Sequence, residues 1–209
     1  MHQDSASLAA LIGSRICHDL ISPIGAISNG LELAGMIASA PMGPEMSLIQ
    51  QSCDHATARI RFFRIAFGTA TDARAIPAAE ARKTLADHYA GTRIAAEWQI
   101  AQDLGRDVTQ MAYLLVLCLE AAMPQGGLLR VELHDGALVV SARGDTLRDD
   151  PVLWAILTDE GCPKTQGISP AHVQFALLGR ICRDRGIMAR HDPGLSEARL
   201  HLPLPAPPS

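Results

Sequence analysis

Ser14-Arg15-Ile16-Cys17-His18-Asp19-Leu20-Ile21-Ser22-Pro23-Ile24 lies within a stretch of helically spaced apolar residues. The stretch opens near Ser5 or Ser7, either a fair N-cap, and runs to about Ala38. At about 100° per residue, Leu11, Ser14, His18, Ser22, Gly25, Asn29 and Glu32 share one stripe, which is small and polar. Ala9, Ile16, Leu20, Pro23, Ile27, Leu31 and Ala34 share the opposite face, nearly all apolar, the pattern of a helix docked against a partner. His18 is therefore expected to point outward, open to a large partner, with Arg15 and Asp19 beside it to set its charge and orientation. An accessible imidazole is a good nucleophile near neutral pH, where much of an ordinary histidine is unprotonated.

An exposed histidine commonly has no task, but two features here argue for one. The residues around His18 lack the Lys and Glu that fill a solvated face. Five residues after it stands Pro23, and a proline inside a helix costs roughly 3 kcal/mol and kinks it, so the position needs a reason.

After the first helix, Pro41-Met42-Gly43-Pro44 forces a reversal, with Pro44 suited to the first position of the next helix. That second helix carries Met46, Ile49, Cys53, Ala56, Ile60, Phe63 and Phe67 at alternating spacings of three and four, a heptad-like seam. Gln50, Asp54, Thr57, Arg61 and Arg64 fall on its outer face. One hairpin with such wide apolar faces cannot cover itself. Two can, by closing a four-helix bundle about a two-fold axis, so residues 1–70 are expected to form a homodimer interface.

Small and polar residues from Gly68 to Pro77 mark a domain boundary, beyond which helix and strand alternate. Residues 78–90 read as helix, Arg93 to Ile100 as strand, and Asp107 to Met123 as an apolar helix stopped by Pro124. Leu128 to His134 and Ala137 to Arg143 read as a hairpin turned by Asp135-Gly136. Helices from Pro151 to Thr158 and Pro170 to Arg185, then strands at Ile187 to His191 and Ala198 to Leu204, complete a second domain over 78–205. The Pro-rich tail from Pro203 to Ser209 reads as loose.

With 209 residues, 48% hydrophobic, net charge -4 and pI near 6.0, the chain is bounded to one or two globular domains and lacks the basic patch of a nucleic-acid binder. No apolar run reaches the ~18 residues of a membrane helix and no leader is visible, so a cytoplasmic location without membrane contact is expected. Cysteines at 17, 53, 118, 162 and 182 are scattered and odd in number, which argues for free thiols over disulfides or zinc. The eight histidines include no pair four residues apart, leaving little case for a metal. Asp149-Asp150, Asp159-Glu160 and Asp184 sit at helix ends or polar faces, where acids are ordinary.

His18-Asp19-Leu20 followed by Pro23-Ile24 resembles the phosphoacceptor box of sensor histidine kinases. More narrowly, Arg15 through Ile27, with Asn29-Gly30-Leu31-Glu32, resembles the ChpT-type histidine phosphotransferases of bacterial phosphorelays. The resemblance implies an α+β fold: an N-terminal helical hairpin forming a dimeric four-helix bundle, then an α/β sandwich like the kinase ATP-binding domain. In that scaffold the nucleotide chemistry is expected to be lost. Val116 and Glu120 stand where the family has two asparagines for magnesium and phosphate, and Ala142 replaces the adenine-binding Asp, although Gly144 remains. Gly167-Ile168-Ser169-Pro170-Ala171-His172-Val173-Gln174 lacks the closely spaced glycines that wrap a triphosphate.

The implied activity is relay of a phosphoryl group between receiver-domain aspartates through phospho-His18, without ATP. Partners implied are the receiver of a CckA-like hybrid kinase and CtrA-like and CpdR-like regulators. The chain would bind no cofactor, Mg²⁺ coming with the receiver. Asp19 would orient or deprotonate the imidazole, indirectly if adjacent helical residues face apart, and Arg15 would steady phosphate charge. Ser14, Ser22 and Gly25 would give clearance, and Asn29, Glu32, Arg61 and Arg64 would dock the receiver. Competing readings are a dimeric pseudo-kinase adaptor that moves no phosphate and a residual ATP-dependent kinase.

Overall fold

A computed structural model describes residues 2–36, 44–69, 74–158 and 167–204. Two long helices, α1 (His2–Met36) and α2 (Pro44–Ala66), form an antiparallel hairpin. α1 begins upstream of both serines expected to cap it, because His-Gln-Asp contains nothing that breaks a helix. α2 opens on Pro44, whose missing N–H would be unpaired at a helix start in any case. The rest is mixed: β1 (Ala75–Ile76), α3 (Ala78–Tyr89), β2 (Ile94–Trp98), β3 (Leu104–Gly105), α4 (Arg106–Glu120), β4 (Gly127–His134), β5 (Ala137–Arg143), α5 (Pro151–Thr158), a 3-10 turn (Pro170–His172), α6 (Val173–Asp184), β6 (Arg190–Asp192) and β7 (Glu197–Pro203). The fold is α+β.

The main sheet runs β2-β4-β5-β7-β6, parallel between β2 and β4 and antiparallel elsewhere. β4 and β5 meet at a two-residue turn with Asp135 at φ 49° and Gly136 at φ 74°, the paired left-handed conformation that Asp-Gly favours. Register puts Leu129 opposite Ala142, Val131 opposite Val140, and Val140 opposite Leu200, all buried on one face. Arg130, Ser141, Arg143, Arg199 and His201 alternate onto the other, which stays polar, so the sheet is covered by helices on one side only. β1 and β3 form a separate antiparallel pair, each two residues long and too short for a periodic signal. β6 starts at Arg190, three residues later than the alternation from Ile187 suggests.

α4 is the centre of the core. Met111 through Leu119 are at most 2% exposed on every side, because α2, α6 and the sheet all pack on this helix. The hairpin joins the same core through Phe62, Ile65 and Ala66. Phe62 is fully buried, stacked on Tyr113 at 4.5 Å and on His88 of α3 at 3.9 Å. The expected seam of α2 contains Phe63 but not Phe62. α2 has a second apolar face, turned toward the α/β part. Ile60, a seam residue, is 52% exposed within one chain.

Polar side chains tie the junction. Gln110 donates from Nε2 to the carbonyls of Ala66 and Gly68, and Arg106 donates to Arg64 O at 2.9 Å, so the last carbonyls of α2 are satisfied by α4. At the other end Leu8 packs on Val173 and Ala176 of α6. Asp150 accepts from the Val152 and Leu153 amides and Asp184 pairs with Arg180, ordinary helix-end roles, whereas Asp159 and Glu160 lie outside the described residues. Cys17, Cys53, Cys118 and Cys182 are free; Cys162 and the tail beyond Leu204 lie outside the described residues. No helix among the described residues is long and apolar enough to cross a membrane.

Candidate functional site

His18 stands in the middle of α1 with its side chain 87% exposed, on the stripe that also exposes Ser14, Ser22, Gly25, Asn29 and Glu32. A Cβ added at Gly25 would meet no atom within 4 Å, so nothing inside the chain requires glycine there. The face opposite is covered in its middle, where Pro23 and Gly30 are buried and Ile16, Leu20 and Ile27 partly so, whereas Ala9 and Leu31, expected on that face, are exposed. Between the two faces Cys17, Ile21, Ile24, Ser28 and Leu31 run exposed at spacings of four and three. Ile21 is 67% and Leu31 56% exposed, leaving an apolar strip beside the histidine.

The residue after the histidine contacts its ring. Asp19 Oδ1 lies 3.1 Å from His18 Nδ1, so the two adjacent residues meet directly. A carboxylate can only accept, so Nδ1 carries the hydrogen of this contact, and in a neutral ring the lone pair is then on Nε2. That lone pair would lie on the edge of the ring away from Asp19. Asp19 itself is 17% exposed and held from two directions. Arg15, one turn earlier, places Nε 2.8 Å from Asp19 Oδ2 and donates from Nη1 to Ala171 O at 2.8 Å, in the turn that leads into α6. Arg59, reaching across from α2, donates from Nη1 to the Asp19 carbonyl. The Arg15 guanidinium is thus engaged with Asp19 and the α/β part instead of extending along the outer edge of the imidazole. The backbone and carboxylate of Asp19 are both fixed.

Beneath these groups is a polar cavity of about 250 Å³ between the hairpin and the α/β part, lined by Arg15, Asp19, Arg59, His88, Tyr89 and Glu120 among others. Tyr89 donates to Glu120 Oε2 at 2.7 Å. Burial pushes the Glu120 carboxyl above its usual range, against the opposing pull of the Tyr89 hydrogen bond and of Arg15. Burial, reinforced by Glu120, also raises the Tyr89 hydroxyl. Burial and the nearby Arg59 and Arg15 charges lower His88 to about 3, so its ring is neutral. His88 Nδ1 is sealed from solvent and has no hydrogen-bond partner among the described residues.

The other expected docking residues are placed apart. Arg61 lines a groove with Asp54, Lys83 and Asp87 at the α2–α3 side, and Arg64 is exposed where its carbonyl meets Arg106. Neither shares the α1 stripe. Arg59, His88, Tyr89 and the buried carboxyl of Glu120 carry no sequence pattern that marks them as a group. The one signal in the sequence is Pro23, which announces an unpaired carbonyl at residue 19.

Val116 and Ala142, which the resemblance to histidine kinases would put at nucleotide-binding positions, are fully buried in α4 and β5, and neither side chain has an oxygen. Glu120 turns to Tyr89. Gly144 packs so closely that a Cβ would lie 2.8 Å from Gly126 O. Among the described residues no three His, Cys, Asp or Glu side chains are grouped to hold a metal ion.

A family model described as the histidine phosphotransferase C-terminal domain matches residues 78–191. Over 150 residues, 69% of this chain and 71% of the relative, the sequence is 36% identical to the protein phosphotransferase ChpT of Brucella abortus (strain 2308). A solved structure described as a bacterial phosphotransferase superposes with a TM-score of 0.74 at 29% identity, covering 93% of this chain and 95% of the other.

Proposed function

This chain belongs to the histidine phosphotransferase family, and from that premise we propose that it relays a phosphoryl group between receiver-domain aspartates through His18. The observation that carries the reading is an outward imidazole whose Nδ1 is bonded to Asp19, leaving Nε2 free for a partner. Nε2 attacks the phosphorus of a receiver's aspartyl phosphate in line. The N–P bond forms as the bond to the carboxylate oxygen breaks, and the carboxylate departs with its electron pair. Positive charge that develops on the ring is met by Asp19 at Nδ1. The second half-reaction runs the same step backward onto another receiver's aspartate. Transition states of this kind are loose and governed by positioning and charge, so the chain need supply only an oriented nucleophile and a docking face. Mg²⁺ comes with the receiver.

Arg15 acts in this reading through Asp19, and Ser14, Ser22, Gly25, Asn29 and Glu32 form the face on which the receiver sits. Val116 and Ala142 offer no side-chain ligand to magnesium or adenine, which supports transfer without ATP. The exposed Ile21, Ile24, Leu31 and Ile60 support a homodimer in which residues 1–70 of two chains bury these side chains in a four-helix bundle.

The test offers radiolabelled phosphorylated receivers to the protein and to His18→Ala. Label should appear on the wild type in an acid-labile, base-stable form and be absent from the variant. Full transfer by His18→Ala would reject the relay, and receiver binding without label would establish an adaptor. Label acquired from ATP alone would show kinase activity.

A further inference from the structure

In an α-helix the N–H of residue 23 donates to the carbonyl of residue 19. Residue 23 is Pro23, which has no N–H, so the Asp19 carbonyl loses its place in the ladder at the residue that touches His18. Arg59, forty positions away in sequence, fills that vacancy with a charged donor. A surface arginine could have paired with any exposed acid; this one meets the single carbonyl that the proline frees. The side chain of the same residue is gripped by Arg15 and placed against His18 Nδ1.

We propose that Arg59 is a positioning residue for phosphoryl transfer, and that Pro23 and Arg59 are one device. The proline opens the Asp19 carbonyl and the arginine holds it, so that the carboxylate meets Nδ1 and the lone pair stays on Nε2. This deepens the relay reading, since it assumes that His18 is the acceptor. A proline at this place would otherwise leave Asp19 free to rotate with its loosened turn, and the ring would divide between its two tautomers. Arg59 acts through Asp19 and touches no reacting atom.

The device predicts non-additivity. Alanine at position 23 restores the N–H, and with it the helix's own bond to Asp19 O, which makes Arg59 redundant. Four proteins suffice: wild type, Arg59→Met, Pro23→Ala and the double variant. Arg59→Met alone should slow acceptance of label from a phosphorylated receiver by about tenfold, the scale of one lost charge-assisted hydrogen bond, with receiver affinity unchanged. In the Pro23→Ala background the same change should cost less than about twofold, and Arg59→Lys, which keeps one charged donor, should recover part of the loss. In parallel, ¹⁵N spectra of the unphosphorylated His18 ring should show Nδ1–H in the wild type and a mixture of tautomers in Arg59→Met, reverting in the double variant. Rate losses that multiply, or a ring whose tautomer ignores Arg59, would overturn the proposal. If no protein in the set accepts label, the relay reading fails, and the ring spectra still decide whether Arg59 sets the tautomer.

Discussion

Acidification from pH 7.5 to pH 5 should cost this fold about 2 kcal/mol through His88 alone. The ring is stacked on Phe62 at 3.9 Å, its Nδ1 is sealed without a partner among the described residues, and Arg59 and Arg15 oppose a further positive charge. Burial first, then those two arginines, hold it at about 3 against 6.5 for a free imidazole. The sign follows from linkage: between those values the unfolded chain binds a proton that the folded chain refuses, so stability is whole above 6.5 and falls with pH toward 3. At pH 5, about 1.5 units below the free value, the loss at about 1.4 kcal/mol per unit is about 2 kcal/mol. Urea denaturation followed by circular dichroism measures it, with wild type compared with His88→Phe, which keeps a ring against Phe62 and removes the titration. His191, lowered by burial, and Glu97 and Glu197, lowered by hydrogen bonds from Arg130 and Arg199, titrate in both proteins and cancel in the difference. The variant should hold its stability between pH 7.5 and 5 better by that amount. Parallel profiles would refute the argument and mean that the junction admits water to His88.

Glu120→Gln keeps an acceptor for the Tyr89 hydroxyl and removes a carboxyl that burial raises; the folded state then no longer carries an ionisation that weakens it as pH climbs, so the variant should gain thermal stability at pH 8 relative to wild type and little at pH 4. A Cβ at Gly25 meets no atom within 4 Å and Gly25→Arg replaces a poor helix former, so melting should hold or rise while label uptake from a receiver falls at least about tenfold; equal uptake would move the docking face elsewhere. Ile60→Asp should leave the chain folded and abolish the proposed dimer by light scattering, because Ile60 is exposed within one chain, whereas Phe63→Asp, at 3% exposed, should unfold it at a cost of several kcal/mol.

The regular part of the fold was legible wherever period and punctuation coincide. Asp135-Gly136 between alternating runs, Pro44 at a helix start and the unbroken apolar stretch of α4 each name an element by local chemistry. What escaped was what tertiary packing decides. The seam of α2 selects Phe63 by heptad spacing, and Phe62, one residue off that line, is the more deeply buried because Tyr113 and His88 lie against it. The two-residue strands β1 and β3 are too short to carry any period.

The site shows the same division more sharply. The outward placement of His18 was legible because the helical period sets it opposite the apolar face, and Pro23 because an interior proline breaks a rule visible in one dimension. The proline states that the carbonyl of residue 19 lacks its donor; it does not state who supplies one. Arg59, Arg61 and Arg64 are each a cation on the same helix, and although helical spacing sets Arg61 and Arg64 on its outer face, it does not name Arg59 as the donor. Only the crossing of α2 over α1 directs Arg59 to that carbonyl while Arg61 turns to α3, and only the docking of the α6 turn brings Ala171 to Arg15. The address of an unmet hydrogen bond can therefore be read from a sequence, and its partner belongs to the packing. A broken local rule beside a reactive side chain is thus a place to look for the distant residue that repairs it.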